Sequence, residues 1–431
     1  MSVARLRAPA AALIANRPLL ALSVTLLVQT LAALALTSPS VLAPVVASEL
    51  GVGAQHVGWL ISLAYLTAML TGLGAGSLSQ RIGPVRASQA ALLAAAAGLA
   101  LLAVGLPVAL LAGAVVLGLA YGLPNPTAAE ILSRHAPVRR RGLFFSIKQT
   151  GVPIGVAAAG VALPALLGPV SWWGALLVVA AVTTAAAMAI GASRDRLEDV
   201  TTAERAAPGR AAEARPPGGL LATMRARVLA PLAEVLAFAP TRRLAIASLV
   251  FALTQVSFLT FLVTLLTLEH GLSLALSASL LAVSQAVSVA GRIGWGHAAD
   301  RWLDPTRLLG GLGVAMGVAI VMLGLAPSDA PAGLMLGITL VCALTAVAWN
   351  GVFFADLVRL VPPERVARAT GATQFLTFTG GMSGSALFAA GVSLGGSYSA
   401  VFVALGILPA LTGLMLLAVA RSPAGRATLG G

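Results

Sequence analysis

Residues 76–87, GSLSQRIGPVRA, and residues 291–301, GRIGWGHAADR, are two short arginine-bearing links, each set between long apolar runs and each in the same place in its half of the chain. Gly76, Leu78, Gln80 and Arg81 of the first face Gly296, Ala298, Asp300 and Arg301 of the second at one offset, 220 residues. A polar turn between runs long enough to cross a bilayer, met twice, predicts a membrane chain built from a duplicated unit.

Outward from these links, apolar runs of about 20 residues, the length that crosses roughly 30 Å of hydrocarbon, number twelve. They are read at 19–48, 57–79, 87–106, 108–132, 143–168, 171–192, 243–268, 273–297, 306–326, 331–358, 367–391 and 397–420, and are called spans 1 to 12 below. The first follows Arg5, Arg7 and Arg17, yet at about 30 residues it exceeds the roughly 7 to 15 of a signal-peptide core and is kept as a span. Composition agrees: 58% hydrophobic and 10% charged residues, with mean hydropathy +0.96, leave too little polar surface to coat a soluble globule.

The arginines fall on one side. Arg81 and Arg86, Arg134 and Arg139 to Arg141, Arg301 and Arg307, and Arg359, Arg365 and Arg368 lie in alternate loops, with further ones at both termini and in the segment 194–242. The intervening loops, near 49–56, 105–108, 168–171, 269–272, 327–331 and 392–396, carry no Lys or Arg. By the positive-inside rule both termini are expected in the cytoplasm, here of a bacterium, with the chain multi-pass in its inner membrane. The net charge of +13 is thereby spread over loops of one face, so no nucleic-acid partner is expected. The single Cys342 excludes an internal disulfide, and His56, His135, His270 and His297 have no metal-binding spacing. The only lysine sits in SIKQT, so there is no P-loop. Neither an enzyme nor a bound cofactor is indicated, and gradients must supply the energy.

Residues 194–242, rich in Pro, Gly, Ala, Glu and Arg, interrupt the apolar pattern. We expect an N-terminal six-helix bundle over 1–193, a cytoplasmic linker over 194–242 and a C-terminal six-helix bundle over 243–431. Leu220, Met224, Val228 and Leu232 share one helical face, so the linker is read as ending in an amphipathic helix over 219–238. Asn125, Arg134, Pro137 and Gln149 recur as Asn350, Arg359, Pro362 and Gln374 at an offset of 225, and Gln29 recurs as Gln255 at 226. This is a parallel repeat about an axis along the membrane normal.

On these residues the chain resembles the major facilitator superfamily, whose links between helices 2 and 3 and between helices 8 and 9 read GxLxDRxGRR. The resemblance covers nearly the whole chain and implies an all-α protein of twelve transmembrane helices in two pseudo-symmetric bundles, acting as a monomer. It implies an inner-side charge network. Here the network would be formed by Asp300, Arg301 and Arg359, supported by Glu130, Arg134, Asp356 and Arg81. Gln80 stands where the family has aspartate, which weakens the first copy. RRRGLFFSIKQTGVPIG at 139–155 is similar to the cyanate and 2-nitroimidazole branch, and the GPxxGG pattern of drug/proton antiporters is absent.

Lys148 and Arg292 lie inside spans 5 and 8 with no acidic residue at matching depth. Buried cations are costly and mark substrate or ion pathways, so two that lack a counter-charge point to an anionic ligand; the alternative for each is a side chain that snorkels to the inner surface. Arg292 precedes Asp300 by eight residues, about 12 Å along a helix, and shares a face with Gln285 and Ser288. Its place resembles the anion-binding arginine of monocarboxylate, oxalate and nitrate/nitrite carriers. The buried amides Gln29, Asn125, Gln149, Gln255, Asn350 and Gln374, with Thr373, Tyr65 and Tyr121, complete the expected substrate site; each has the alternative of joining helix to helix. Trp349, with Tyr65 and Tyr121, is read as either shaping the cavity or packing between helices, packing being the commoner use of an aromatic side chain.

With Glu130 and Asp356 beside arginines and no carboxylate at mid-depth, anion exchange or facilitated diffusion fits best, and a proton stays open as coupling ion. The expectation is a secondary carrier of a small organic or inorganic anion. Its rival is a proton-coupled exporter of lipophilic compounds.

Overall fold

The computed structural model describes residues 7–137, 140–198, 225, 229–362 and 365–421, and of residues 7–16, Ser77, Gln80, Asp300, Ala367, Arg368 and Arg421 the backbone alone. All twelve spans are present, at Arg17–Leu50, Ala54–Gly76, Pro84–Ala103, Pro107–His135, Leu143–Leu166, Trp172–Gly191, Ala239–Leu268, Leu274–Ala299, Pro305–Leu325, Ala332–Leu360, Ala369–Ser393 and Tyr398–Ala420. There is no strand among the described residues. A backbone in hydrocarbon must satisfy its own hydrogen bonds, and helices do this within one segment.

Local chemistry sets the helix ends. Pro84, Pro107 and Pro305 sit in first turns, where the missing N–H costs nothing. Ser273 and Asp304 cap spans 8 and 9 by accepting from Leu276 N at 3.2 Å and Arg307 N at 2.9 Å. Gly83, with φ at 94°, makes the tight link between spans 2 and 3. Two glutamates cap spans from a distance. Glu198, after span 6, accepts from Val85 N and Arg86 N at 2.9 and 3.3 Å; Glu269, after span 7, accepts from Tyr398 N and Ser399 N at 2.6 and 2.9 Å.

Three spans are broken, two of them, spans 4 and 10, at corresponding places in the repeat. Span 4 is Pro107–Tyr121 followed by Pro124–His135, and Pro124 and Pro126 cannot continue the hydrogen-bond ladder. Span 5 is Arg141–Gln149 followed by Gly151–Leu166, where Pro153 leaves the Gln149 carbonyl without its helical donor. In span 10 a π-helical turn, Ala343–Val347, separates Ala332–Cys342 from Asn350–Leu360. The indole N–H of Trp295 in span 8 donates to the Leu344 carbonyl of that turn at 2.8 Å. Such turns recur at functional sites.

Spans 1–6 pack chiefly among themselves, as do spans 7–12, and the two sets meet where span 2 lies on span 11, span 5 on span 8 and span 1 on span 7. The meeting is tight toward the arginine-free face. There Ser62 Oγ donates to the Met382 carbonyl at 2.8 Å, the Tyr398 hydroxyl to Gln55 Oε1 at 3.5 Å, and Gly58 and Gly160 press on the carbonyls of Ser385 and Ala278. Toward the arginine-rich face the halves part. A side chain added at Gly74, Gly294, Gly296 or Gly371 would meet nothing within 4 Å. Asn125, Ser146 and Gln149 are exposed in the gap. The molecule is therefore closed at one face and open at the other.

The halves differ in how they are sewn. Span 9 lies against span 12 along Gly310, Gly313, Gly317 and Gly324 on one side and Gly406 and Gly413 on the other, so that backbone meets backbone. The equivalent pair, spans 3 and 6, is joined through a side chain, Gln89 Nε2 donating to the Ala187 carbonyl at 2.9 Å.

Of the surface helix expected over 219–238, Ala230–Ala237 is helical and rests on spans 7 and 11. Leu220, Met224, Arg227 and Val228 lie outside the described residues. Glu234 is tied to Arg365 at 2.8 Å.

Candidate functional site

The break in span 5 puts Lys148 in the last turn of a nine-residue helix, where the carbonyl ends favour a cation. Its side chain does not bend out to solvent: the residue is 2% exposed. Nζ donates to Gln29 Oε1 of span 1 at 2.6 Å, to Asn125 Oδ1 of span 4 at 2.5 Å and to Gln149 Oε1 at 3.4 Å. Three donors thus meet three amide oxygens and no carboxylate, so the hydrogen bonds are matched while the charge is not. Gln29, Asn125 and Gln149 were expected as substrate ligands. Structurally they first form the cage of this lysine.

The repeat-related cluster in the second half is neutral. Gln255 of span 7, the counterpart of Gln29, accepts from Trp349 Nε1 at 2.9 Å and Asn350 Nδ2 at 3.4 Å. An indole from span 10 thus does there what the ammonium from span 5 does in the first half. Trp349 is 1% exposed and edge-on to Phe251 and Phe353, so of the two roles its sequence leaves open, cavity wall or packing, it takes the second.

Arg292 lies on span 8 beside the π-helical turn, where a side chain at Gly291 would touch Leu344 and Ala348. Its Nε is buried without a partner, and no hydrogen bond or ion pair engages its guanidinium among the described residues. Tyr121, at the broken end of span 4 in the other half, is near enough to interact with it electrostatically. From Tyr121 a chain of edge-to-face rings runs to Tyr65 of span 2 and on to Phe378 of span 11, each pair 6.0 Å apart. All three rings are half-buried at the level where the halves close.

Other expected ligands turn inward. Gln285 and Ser288 are fully buried and bond within span 8, to Ser284 Oγ at 3.1 Å and the Gln285 carbonyl at 2.8 Å. They share Arg292's helical stripe. Thr373 is buried and donates to the Thr370 carbonyl, as Thr377 does to that of Thr373. Gln374 is half-buried, with no side-chain hydrogen bond among the described residues.

The charge clusters sit at the open face. In the first half Glu130 accepts from Ser79 and Arg134. In the second, Arg359 pairs with Asp356 at 2.7 Å and Asp304 at 2.6 Å, and Thr306 bonds both Asp356 and Arg359. Asp304, the helix cap of span 9, is the partner of Arg359 that the sequence reading missed; it had assigned the role to Asp300, whose side chain lies outside the described residues. Arg81 and Arg301 are exposed and make no ion pair among the described residues. No described ion pair joins one half to the other, as expected where the halves have separated.

Twelve spans in two sets, closed at one face and open at the other, with a cation inside span 5 and another inside span 8, are the architecture of an alternating-access membrane carrier. The model of the Major Facilitator Superfamily matches residues 25–385, and the chain belongs to that superfamily. No curated protein matches it by sequence. Among solved structures it is similar to a peptide transporter POT in complex with sulfate, with 18% identity, TM-score 0.71, and 95% of this chain and 96% of that one covered. It is also similar to a bacterial homolog of the human lysosomal transporter Spinster in an inward-facing and unoccupied conformation, with 16% identity, TM-score 0.71, and coverage of 96% and 97%. A POT family transporter in complex with 5-aminolevulinic acid aligns at 13% identity and TM-score 0.71 over 92% and 95%. At these identities the likeness is one of fold.

Proposed function

We propose that this transporter carries a small organic or inorganic anion, carboxylate-like in shape, by alternating access, with Arg292 as the principal anchor and Lys148 as the second. The observation that carries the reading is Arg292: a guanidinium inside span 8, Nε buried and unpartnered, without an ion pair to an acidic residue among the described residues. A charge so placed is stabilised by a ligand of opposite sign, and the planar fork of arginine suits an oxyanion through two parallel hydrogen bonds. Lys148 can join through its long bond to Gln149, which a ligand oxygen could replace. The chain is read as a monomer with halves over 1–193 and 243–431 joined by the linker. The arginine-rich face, now open, is taken as the cytoplasmic side of a bacterial inner membrane.

The test is a thermal-shift and counterflow panel of formate, benzoate, oxalate, nitrate and cyanate on purified protein. We expect stabilisation by at least one anion, lost in Arg292→Ala and weakened but retained in Arg292→Lys. Stabilisation by neutral lipophilic compounds alone, unchanged in Arg292→Ala, would transfer the reading to an exporter.

A further inference from the structure

Lys148 is the single lysine in a chain with 26 arginines. Wherever this sequence needs a permanent positive charge it uses arginine, so the one position that departs calls for a property arginine lacks. That property is the ability to let a proton go: guanidinium stays charged in proteins, whereas a desolvated ammonium can release its proton. We propose that Lys148 is the proton-coupling group of this carrier, loading one proton with each anion and releasing both through the same opening. The inference rests on the anion-carrier reading above and adds what drives it.

The geometry around Nζ suits both protonation states. As an ammonium it has three N–H donors for the oxygens of Gln29, Asn125 and Gln149. On deprotonation the N–H bond breaks, its electron pair stays on nitrogen and the proton passes to water in the open gap. The amine then keeps two N–H donors for the close partners Gln29 and Asn125, and its new lone pair faces Gln149. That third bond is the longest of the three, at 3.4 Å, and Gln149 is exposed. A half-turn of the Gln149 amide presents its own N–H to the lone pair, so no buried polar atom is left unmatched. A cage of amides, which can both give and accept, permits this; a carboxylate neighbour would hold the proton in place.

The charged groups on the elements packed against this helix leave the task to Lys148. Span 1 carries Arg7 and Arg17 toward the open face and Glu49 at the closed one. The second helix of span 4 carries Glu130, taken up by Ser79 and Arg134, and His135, bonded to the Leu197 carbonyl at 3.0 Å. The helix of Lys148 itself carries Arg141, bonded to the Ser133 carbonyl at 2.8 Å, and Gly151–Leu166 carries none. An anion at Arg292 and Lys148 favours the ammonium, and loss of the proton weakens the hold on the anion, which links the two fluxes.

Because the lysine is unique, labelling with 13C,15N-lysine gives one side-chain resonance, and its shift reads protonation directly. We expect it to pass between ammonium and amine positions within the pH range over which the protein stays folded. A resonance fixed at either position throughout that range overturns the proposal. In liposomes, with radiolabelled oxalate and nitrate as probes, a pH gradient should drive wild-type accumulation by about tenfold per pH unit for one proton per anion. In Lys148→Arg the accumulation driven by the pH gradient should fall to a ratio near one, read against whatever counterflow that variant retains. Accumulation undiminished in Lys148→Arg also overturns it. Wild type that moves neither probe counts against the anion reading, and the lysine resonance then decides the protonation claim alone, as it does if the arginine variant fails to fold.

Discussion

Gly160 sits where span 5 of the first half meets span 8 of the second, on the closed side, and substituting it by alanine tests whether that contact holds the gate. The added Cβ would lie 2.5 Å from the Ala278 carbonyl oxygen and 3.2 Å from Ala282 Cβ. Restoring ordinary contact requires the two spans to separate by roughly 1 Å, and forced overpacking of this kind costs about 1–3 kcal/mol. Within a half such a cost would burden every conformation alike. Here it falls only on the state in which spans 5 and 8 touch at this end, so Gly160→Ala should shift the conformational ratio toward opening of the arginine-free face by about 5- to 150-fold. The assay is a spin-label distance measurement between Val52 and Leu394, exposed positions on that face in opposite halves, in a Cys342→Ala background. Gly317→Ala is the control. Its Cβ would meet the Gly406 carbonyl at 2.5 Å inside the second half, and it should lower thermal stability without altering the distance distribution. An unchanged distribution in Gly160→Ala together with reduced stability would refute the assignment of this contact to the gate.

Other outcomes follow from single bonds. Trp349→Phe keeps the ring among its aromatic neighbours but leaves Gln255 with only the 3.4 Å bond from Asn350; a loss of about 1–3 kcal/mol should appear as a lower melting temperature, with the anion response intact. Glu269→Gln weakens the cap on span 12, where one carboxylate serves two backbone N–H groups and Ser399 Oγ, and should cost about 1 kcal/mol in the same measurement. Asp356→Ala should destabilise more than Asp304→Ala, because the Asp356 side chain is 1% exposed and the Asp304 side chain 21%. Equal effects would place the strength of that cluster at the surface.

The twelve spans and their repeat are readable because lipid imposes length and composition directly on the chain. The breaks in spans 4 and 5 also have visible signals, Pro124 with Pro126 and Gly151 with Pro153. The π-helical turn in span 10 has none: ALTAV would suit an ordinary helix. At the site, residue types are legible but partners are not. Lys148, Gln29, Asn125 and Gln149 could each be singled out, yet that they bind one another depends on how spans 1, 4 and 5 approach. Gln285 and Ser288 share Arg292's stripe by periodicity, and only packing reveals that they are fully buried and bonded within their own helix. Asp304 escaped notice because a residue that reads as a helix cap also accepts Arg359.

The glycine seam between spans 9 and 12 gives the two halves unequal stiffness. Backbone packed on backbone has few rotamers through which to yield, whereas the Gln89 tie between spans 3 and 6 can re-form after a slip. Amide protons should therefore exchange more slowly in spans 9 and 12 than in spans 3 and 6. In each transport cycle the half bearing Arg292 would serve as the anvil, and the half bearing Lys148 would flex against it.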